Sequence, residues 1–502
     1  MPAVIGIDIG TTSTIGILID LPGRIVGVIS RPTELISLHP GWAEENPEQW
    51  WQNVCEVSHA LLALEPGIIS SLVAVGVAGM VPAIILLDEK DQLLRRSIQQ
   101  SDGRATEEVA EIEAEIDASR FLARTGNGIS QQIVATKLRW IRRHEPEIFA
   151  RIGTCFGSYD YINWKLTGAK RIEQNWALEA GFFDLSQQEI TEDLVGLAGL
   201  PKQALPPIAE SHAVIGRVTA SAAAQSGLPE GLPVVAGAAD HVASAYAAGV
   251  VQAGDVLLKF GGAGDILIAV DEVVPDRRIF LDRHVIPGRF MPNGCMAASG
   301  AMLNWLVSGF AAGLVSGEAA PHALLDEKAA LIPAGSEGVF MLPYLLGEKS
   351  PIQDTRARGT ISGLSLNHGP AHLWRAALEA VGYAFLHHLE VFRELGYPIR
   401  RLLISDGGAK SRIWMQIVAD ILQLPLQQLE GHPGSCLGAA WVAAMGVGAS
   451  EDWGGASALL RQGETIYPQS ENAAVYKAGY QHFRELYECL APWFAKTAGK
   501  TS

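Results

Sequence analysis

The chain has 502 residues, 48% of them hydrophobic and 18% charged, and its 54 acidic against 38 basic side chains give a formal net charge of −16. That length exceeds what one hydrophobic core usually serves, so two large domains are expected. The charge excludes a nucleic-acid backbone or an anionic membrane surface as partner, since both would be repelled, but allows a small anion offset by local N–H groups and a metal. Cys55, Cys155, Cys295, Cys436 and Cys489 are scattered without metal-ligand spacing, which fits reduced thiols in a cytoplasmic protein. Met1 leads straight into an apolar run that Asp8 interrupts, and no stretch offers about 18 uninterrupted apolar residues; neither a signal peptide nor a membrane span is expected.

Residues 4–20 read as a buried apolar strand, a tight Gly10-Thr11-Thr12 turn and a second apolar strand from Ser13, with one carboxylate, Asp8, near the end of the first. Such a turn presents backbone N–H groups and hydroxyls to an anion. Asp8 would repel that anion unless a cation lay between them, so the set suits a metal-bound triphosphate. The alternative is an ordinary hairpin whose polar groups satisfy their own backbone. A turn at residues 21–24 leads into a third strand at 25–29, completing a meander. Trp51, Val54, Cys55, Ser58, Leu61 and Leu62 recur at helical spacing, and residues 72–77 read as a buried strand, so the alternation favours α/β architecture.

The segment at 234–249 is a buried strand ending in small residues, then Asp240 and His241, then an alanine-rich helix. Asp240 reads equally as a helix N-cap and as a carboxylate placed to accept a proton from a substrate hydroxyl. His241 stands beside it, within reach of the same site. Near residue 255 the opening pattern returns: a strand at 256–260, the turn Gly261, Gly262, Ala263, Gly264, and a strand at 265–270. Two related halves are expected, each offering a phosphate-facing hairpin to a nucleotide, with the boundary near 245–254. Residues 401–406 form a further strand, followed by Gly407-Gly408-Ala409-Lys410-Ser411 and a helix, a combination that admits a flat ligand or a phosphate. Neither GxGxxG nor GxxxxGK[ST] is present, which disfavours a Rossmann dinucleotide site and a Walker loop.

Taken together the segments resemble the FGGY carbohydrate kinases, members of the actin, hexokinase and Hsp70 superfamily. The clearest carrier is Gly359-Thr360-Ile361-Ser362-Gly363-Leu364, then seven residues, then His372-Leu373-Trp374-Arg375-Ala376-Ala377-Leu378-Glu379, which satisfies the family's second signature. Gly41-Trp42-Ala43-Glu44-Glu45-Asn46-Pro47, Ser101-Asp102-Gly103-Arg104-Ala105 and Asp160-Tyr161-Ile162-Asn163-Trp164 support it. The first signature is looser, with Val134 where Ser, Thr or Pro is usual. The resemblance implies an α/β, two-lobed, ribonuclease H-like fold with duplicated mixed sheets flanked by helices. The lobes would span residues 1–248, with the sugar-binding insertions and first phosphate turn, and 249–502, with the second phosphate turn and adenosine site.

The resemblance also assigns roles. Asp240 matches the catalytic base, and Asp8, with Asp240, the carboxylates that place Mg²⁺. Gly10, Thr11, Thr12 and Ser13 match the first ATP-phosphate turn and Gly261, Gly262, Ala263 and Gly264 the second. Many relatives carry Gly-Thr-Ser-Gly in the second turn; Gly262 and Ala263 lack both hydroxyls, so backbone N–H groups must make the contact. Gly407, Gly408, Ala409 and Lys410 match the adenosine turn, with residues 434–438 nearby by analogy. The sugar would meet Met80, Val81, Pro82, Asp102, Arg104, Asp240 and His241. Pro82 replaces the His of the xylulokinase loop, and Val81 and Pro82 replace the Arg-Glu pair of glycerol kinases, which disfavours glycerol. Asp102-Gly103-Arg104 is similar to the xylulokinase form, although a surface salt bridge is the alternative for this pair. A ketopentose phosphorylated at its terminal hydroxyl is expected, with another ketose, a deoxy sugar or a polyol as alternative acceptor. A degenerate kinase acting as a sugar-binding regulator is the alternative of another class, and a nucleotide-driven chaperone or filament former is a further one. Many relatives are dimers, so a homodimer is allowed by analogy.

Overall fold

The computed structural model describes residues 1–310 and 321–497. The chain divides into two compact units, one of Met1–Val251, Asp271–Met291 and Pro433–Leu460, the other of Gln252–Val270, Pro292–His432 and Arg461–Ser502. Sequence reading placed one crossing, at 248/249; the two later returns to the first unit carry no composition shift that marks them.

In the first unit, β1 (Ala3–Ile9), β2 (Ser13–Asp20) and β3 (Arg24–Pro32) form the antiparallel meander. β4 (Leu72–Gly79) runs parallel to β1, and β5 (Val214–Arg217) and β6 (Pro233–Val235) extend the sheet beyond it, β6 parallel to β4 and β5 antiparallel to β6. The sheet order is β5-β6-β4-β1-β2-β3, with the short β7 (Ala238–Ala239) also parallel to β4. Val4 and Ile5, neighbours that point to opposite faces of β1, are both fully buried, as a strand covered on both faces requires.

The second unit repeats the pattern. β8 (Asp255–Phe260) and β9 (Gly264–Ile268) form a hairpin, β10 (Phe290–Met296) pairs with β9, and β11 (Arg401–Ser405) runs parallel to β8. β12 (Leu426–Glu430) runs parallel to β11, and β13 (Arg461–Ile466) closes the row antiparallel. From β3 to β5 and from β10 to β13 the strand senses follow one order: antiparallel, antiparallel, parallel, parallel, antiparallel. The fold is therefore α/β and two-lobed, with duplicated mixed sheets flanked by helices.

The late segment of the first unit is fixed by close packing. Helix Ser435–Gly446 lies on β1 and β4 where Gly6 and Gly76 leave no room for a side chain: a Cβ at Gly6 would stand 1.9 Å from the Cys436 carbonyl oxygen, and one at Gly76 2.3 Å from that of Ala439. Gly438 packs in the same way on helix Asp240–Ala247, its Cβ position lying 2.1 Å from the Ala243 oxygen. Gly438, placed near the adenosine by analogy, is thus a packing glycine. Among the described residues no helix is long and apolar enough to cross a membrane.

Three buried carboxylates make stability depend on pH. Glu173 accepts from the Tyr159 hydroxyl (2.9 Å), the Ser211 hydroxyl (2.7 Å) and the Asn175 N–H (2.8 Å), but its complete burial pushes its pKa up to about 7. Burial likewise raises Glu348 to about 7 and Glu45 to about 8. Each keeps in the folded state a proton that the unfolded chain releases near its ordinary pKa of 4.5. Their contribution is therefore complete at acid pH and lost as pH climbs through about 7–8. Urea unfolding is expected to show greater stability at pH 5.5 than at pH 8. In Glu173→Gln that difference should shrink by on the order of 2–3 kcal/mol; an unchanged difference would contradict the assignment.

Candidate functional site

In the first unit the expected catalytic and metal-placing residues gather at the carboxyl ends of three parallel strands. Asp8 on β1 pairs with Ala78 on β4, and Ala78 pairs in turn with Ala238 on β7, so Ile9, Gly79 and Ala239 end side by side. Met80 continues β4, with its N–H donating to the Ile9 carbonyl (3.0 Å) and its own carbonyl accepting from the Ser158 hydroxyl (2.7 Å). Asp240 continues β7 and is the first residue of helix Asp240–Ala247. The cap position belongs to Ala239, which makes no side-chain bond, so the N-cap reading of Asp240 falls away. In an open α/β sheet this edge is where ligands bind, because strand ends and helix starts leave backbone and side chains facing outward.

The first turn closes tightly, Gly10 N–H donating to the Ser13 carbonyl (3.0 Å) and Thr33 N–H to the Thr12 carbonyl (2.9 Å). Ser13 begins β2, and Thr11 directs its hydroxyl to the Met80 sulfur (3.9 Å). A Cβ at Gly10 would lie 3.7 Å from Asp8 Oδ2, so this carboxylate sits beside the turn. Met80 and Val81 are buried, at 3% and 6% exposure, and Pro82 with them.

Asp102 and Arg104 do not form a surface salt bridge. Their ion pair, 2.8 Å, is wholly buried, with the guanidinium 3.8 Å from the centre of the Trp42 ring. Asp102 also accepts the Ala43 and Arg104 N–H groups, and Arg104 reaches Glu44 at 2.9 Å. Burial works against the charged form of Asp102, but Arg104 and these N–H donors hold its pKa below the usual carboxylate range. In this state the pair ties residues 41–44 to 101–104, and both Asp102 oxygens already have donors.

His241 has neighbours that sequence reading missed. Its Nε2 lies 2.7 Å from Asp282 Oδ2 and 3.9 Å from Glu179 Oε1, and its Nδ1 lies 3.2 Å from Asp240 Oδ1. Burial opposes a charged imidazole, yet the surrounding carboxylates raise its pKa well above the ordinary histidine value. Burial and the nearby Asp282 also raise Glu179. Asp282 sits on a short strand 41 residues along the chain from His241, and nothing in its local sequence advertises the contact.

The second unit gathers its own expected residues. Gly261 and Gly262 are anchored through their carbonyls, which accept from Gly300 N–H (2.9 Å) and from Ser299 and Ala301 N–H (2.8 and 3.0 Å) at the start of helix Gly300–Phe310. β8 and β11 run parallel, Lys259 pairing with Ser405, so the turn after β8 and the turn Gly407–Lys410 after β11 are neighbours; a Cβ at Gly261 would lie 3.6 Å from Asp406 Oδ2. Together they line a cavity of about 680 Å³, walled by Leu303, Trp374 and Trp414 and floored by Gly261, Gly262, Gly407, Gly408 and Lys410. Gly262 and Gly407 have open space where a side chain would stand, so a ligand can approach their backbone closely. Ala263 and Gly264 do not line it, Gly264 being covered by Met296, and Ala409 is buried beneath the second turn. Ser411 caps the following helix by accepting from Trp414 N–H (3.2 Å).

A second cluster of possible metal ligands, Glu337, His368 and His372, lies in the second unit. Each imidazole there accepts a backbone N–H at Nδ1, from Ser365 (3.0 Å) and Gly369 (3.1 Å). A neutral ring so engaged carries its proton on Nε2, the nitrogen a metal would need.

Comparison with known proteins agrees with this architecture. Residues 3–247 match the N-terminal domain, and residues 277–447 the C-terminal domain, of the FGGY family of carbohydrate kinases. A xylulose kinase of Bacillus subtilis is 30% identical over 490 residues, 97% of each chain. An L-xylulose/3-keto-L-gulonate kinase of Escherichia coli is 28% identical, covering 98% of each. The crystal structure of a xylulose kinase from Rhodospirillum rubrum superposes with a TM-score of 0.93 at 54% identity, covering 98% of this chain and all of that one.

Proposed function

The chain belongs to the FGGY family of carbohydrate kinases, and from that premise we propose that its acceptor is a ketopentose of the xylulose type, phosphorylated by ATP at its terminal hydroxyl. The xylulose kinases among its full-length relatives, the 54%-identical one above all, support this substrate. The observation that carries the reading is the convergence of Asp8, Met80 and Asp240 at neighbouring strand ends.

In this reading Asp240 takes the proton from the terminal hydroxyl as the sugar oxygen bonds to the γ-phosphorus. The bond from γ-phosphorus to the bridging oxygen breaks, and ADP leaves with that electron pair. The glycine-lined cavity of the second unit has the size for adenosine and presents backbone to the phosphates. Asp8 and Asp240 are hard oxygen donors suited to Mg²⁺, which when bound neutralises charge on the phosphate oxygens. Met80, Val81 and Pro82 give the acceptor side an apolar wall, so a deoxy ketose is the second reading. All five cysteines are free thiols, which supports a cytoplasmic setting.

The test is sugar-dependent ADP release across ketoses, polyols and aldonates. The highest kcat/KM is expected for a ketopentose, and a strong preference for glycerol would overturn the proposal. Sugar-independent release would mark an ATPase, and sugar binding without turnover a regulator.

A further inference from the structure

Asp282 and Glu179 take no part in the transfer as described, yet they enclose the residue beside the base. Asp282 is 1% exposed and meets His241 Nε2 at 2.7 Å. On the far side of the ring Nδ1 faces Asp240 Oδ1, and the same oxygen accepts the His241 backbone N–H at 2.6 Å. The imidazole is thus a strut between two carboxylates, with Glu179 closing its flank.

The backbone on either side of Asp282 is held by two asparagine side chains. Asn127 donates to the Leu281 carbonyl and accepts the Leu281 N–H, both at 2.9 Å. Asn175 does the same for Arg283, at 3.0 and 2.7 Å. Each amide reproduces the paired donor and acceptor of a neighbouring strand, so the residues before and after Asp282 are fixed in register. A buried carboxylate is costly unless its partner is well aligned, and this clamp supplies that alignment for the bond to His241.

We propose that Asp282 is a positioning residue for phosphoryl transfer: through the His241 ring it sets the orientation of the Asp240 carboxylate, and Asn127 and Asn175 hold Asp282 in place. The inference rests on the reading of Asp240 as the base. A carboxylate on the first residue of a helix can rotate about its side-chain bonds, and two donors from His241 to one oxygen fix its plane. Loss of the strut leaves the base present but misaligned, which costs turnover more than binding.

The experiment uses the full-length enzyme with ATP, Mg²⁺ and D-xylulose. Asp282→Asn keeps the side-chain volume and is expected to lower kcat by about 10- to 100-fold while KM for ATP changes less than about threefold. His241→Asn retains a donor that reaches Asp240 but not Asp282, so adding Asp282→Asn to it should cost nothing further. Unimpaired kcat in Asp282→Asn, or a full second loss in the double variant, would overturn the inference. So would a drop in Tm with unchanged kcat per folded molecule. A wild-type enzyme inactive on every sugar fails the kinase reading and takes this inference with it; an active wild type with an unimpaired Asp282→Asn fails this inference alone.

Discussion

Asp240→Asn is expected to reduce sugar phosphorylation by about 10³-fold or more while ATP affinity stays within a few-fold. The substitution keeps the side-chain volume and an oxygen that can accept the His241 N–H, so the helix start and its bond of 2.6 Å are preserved. What disappears is the group able to accept the hydroxyl proton. General-base assistance contributes typically about 10²–10⁴-fold, and in the proposed reading lost charge on a carboxylate that would help hold Mg²⁺ adds to it. The cavity proposed for adenosine belongs to the second unit and is not lined by residue 240, so nucleotide binding measured by calorimetry should persist. Turnover within about tenfold of wild type would remove Asp240 from the base's role.

The second large effect is structural. Gly6→Ala places a Cβ 1.9 Å from the Cys436 oxygen and 2.6 Å from the Ala440 nitrogen, both backbone atoms of a helix that also rests on β4 at Gly76. Neither neighbour can swing away as a flexible side chain would, so strand and helix must separate. A cost of about 3 kcal/mol or more is expected, lowering Tm by roughly 5–10 °C. Gly196→Ala, at a helical glycine with nothing within 4 Å of the added atom, serves as the control and should be neutral to slightly stabilising. Equal behaviour of the two variants by differential scanning calorimetry would contradict the packing account.

Local pattern carried much of the fold. The hairpin β1–β2 and its repeat β8–β9 are visible because each is a mainly apolar run with few charged residues, turned by small ones. The turns after β8 and β11 were each identifiable, but only the parallel pairing of those strands makes them walls of one cavity. Other features depend on contacts that leave no periodicity. The return of helix Ser435–Gly446 to the first unit is written in glycines 6, 76 and 438, which in sequence look like any others. Asp102 and Arg104 read as sugar-side residues with a surface salt bridge as the alternative, and nothing local shows that Trp42 and Trp140 cover the guanidinium. Asp282 and Glu179 reach His241 from distant segments, and a lone carboxylate on a short strand gives no sign of it. Asn127 and Asn175 carry no local signal either, since a side-chain amide that mimics a strand has no spacing rule.

The most direct test of the whole account is the product itself, followed by ³¹P NMR with ATP, Mg²⁺ and D-xylulose. The expected result is one phosphomonoester on the sugar's terminal carbon for each ADP formed, with no ADP when sugar is withheld. Release of inorganic phosphate at the same rate with and without sugar would contradict it.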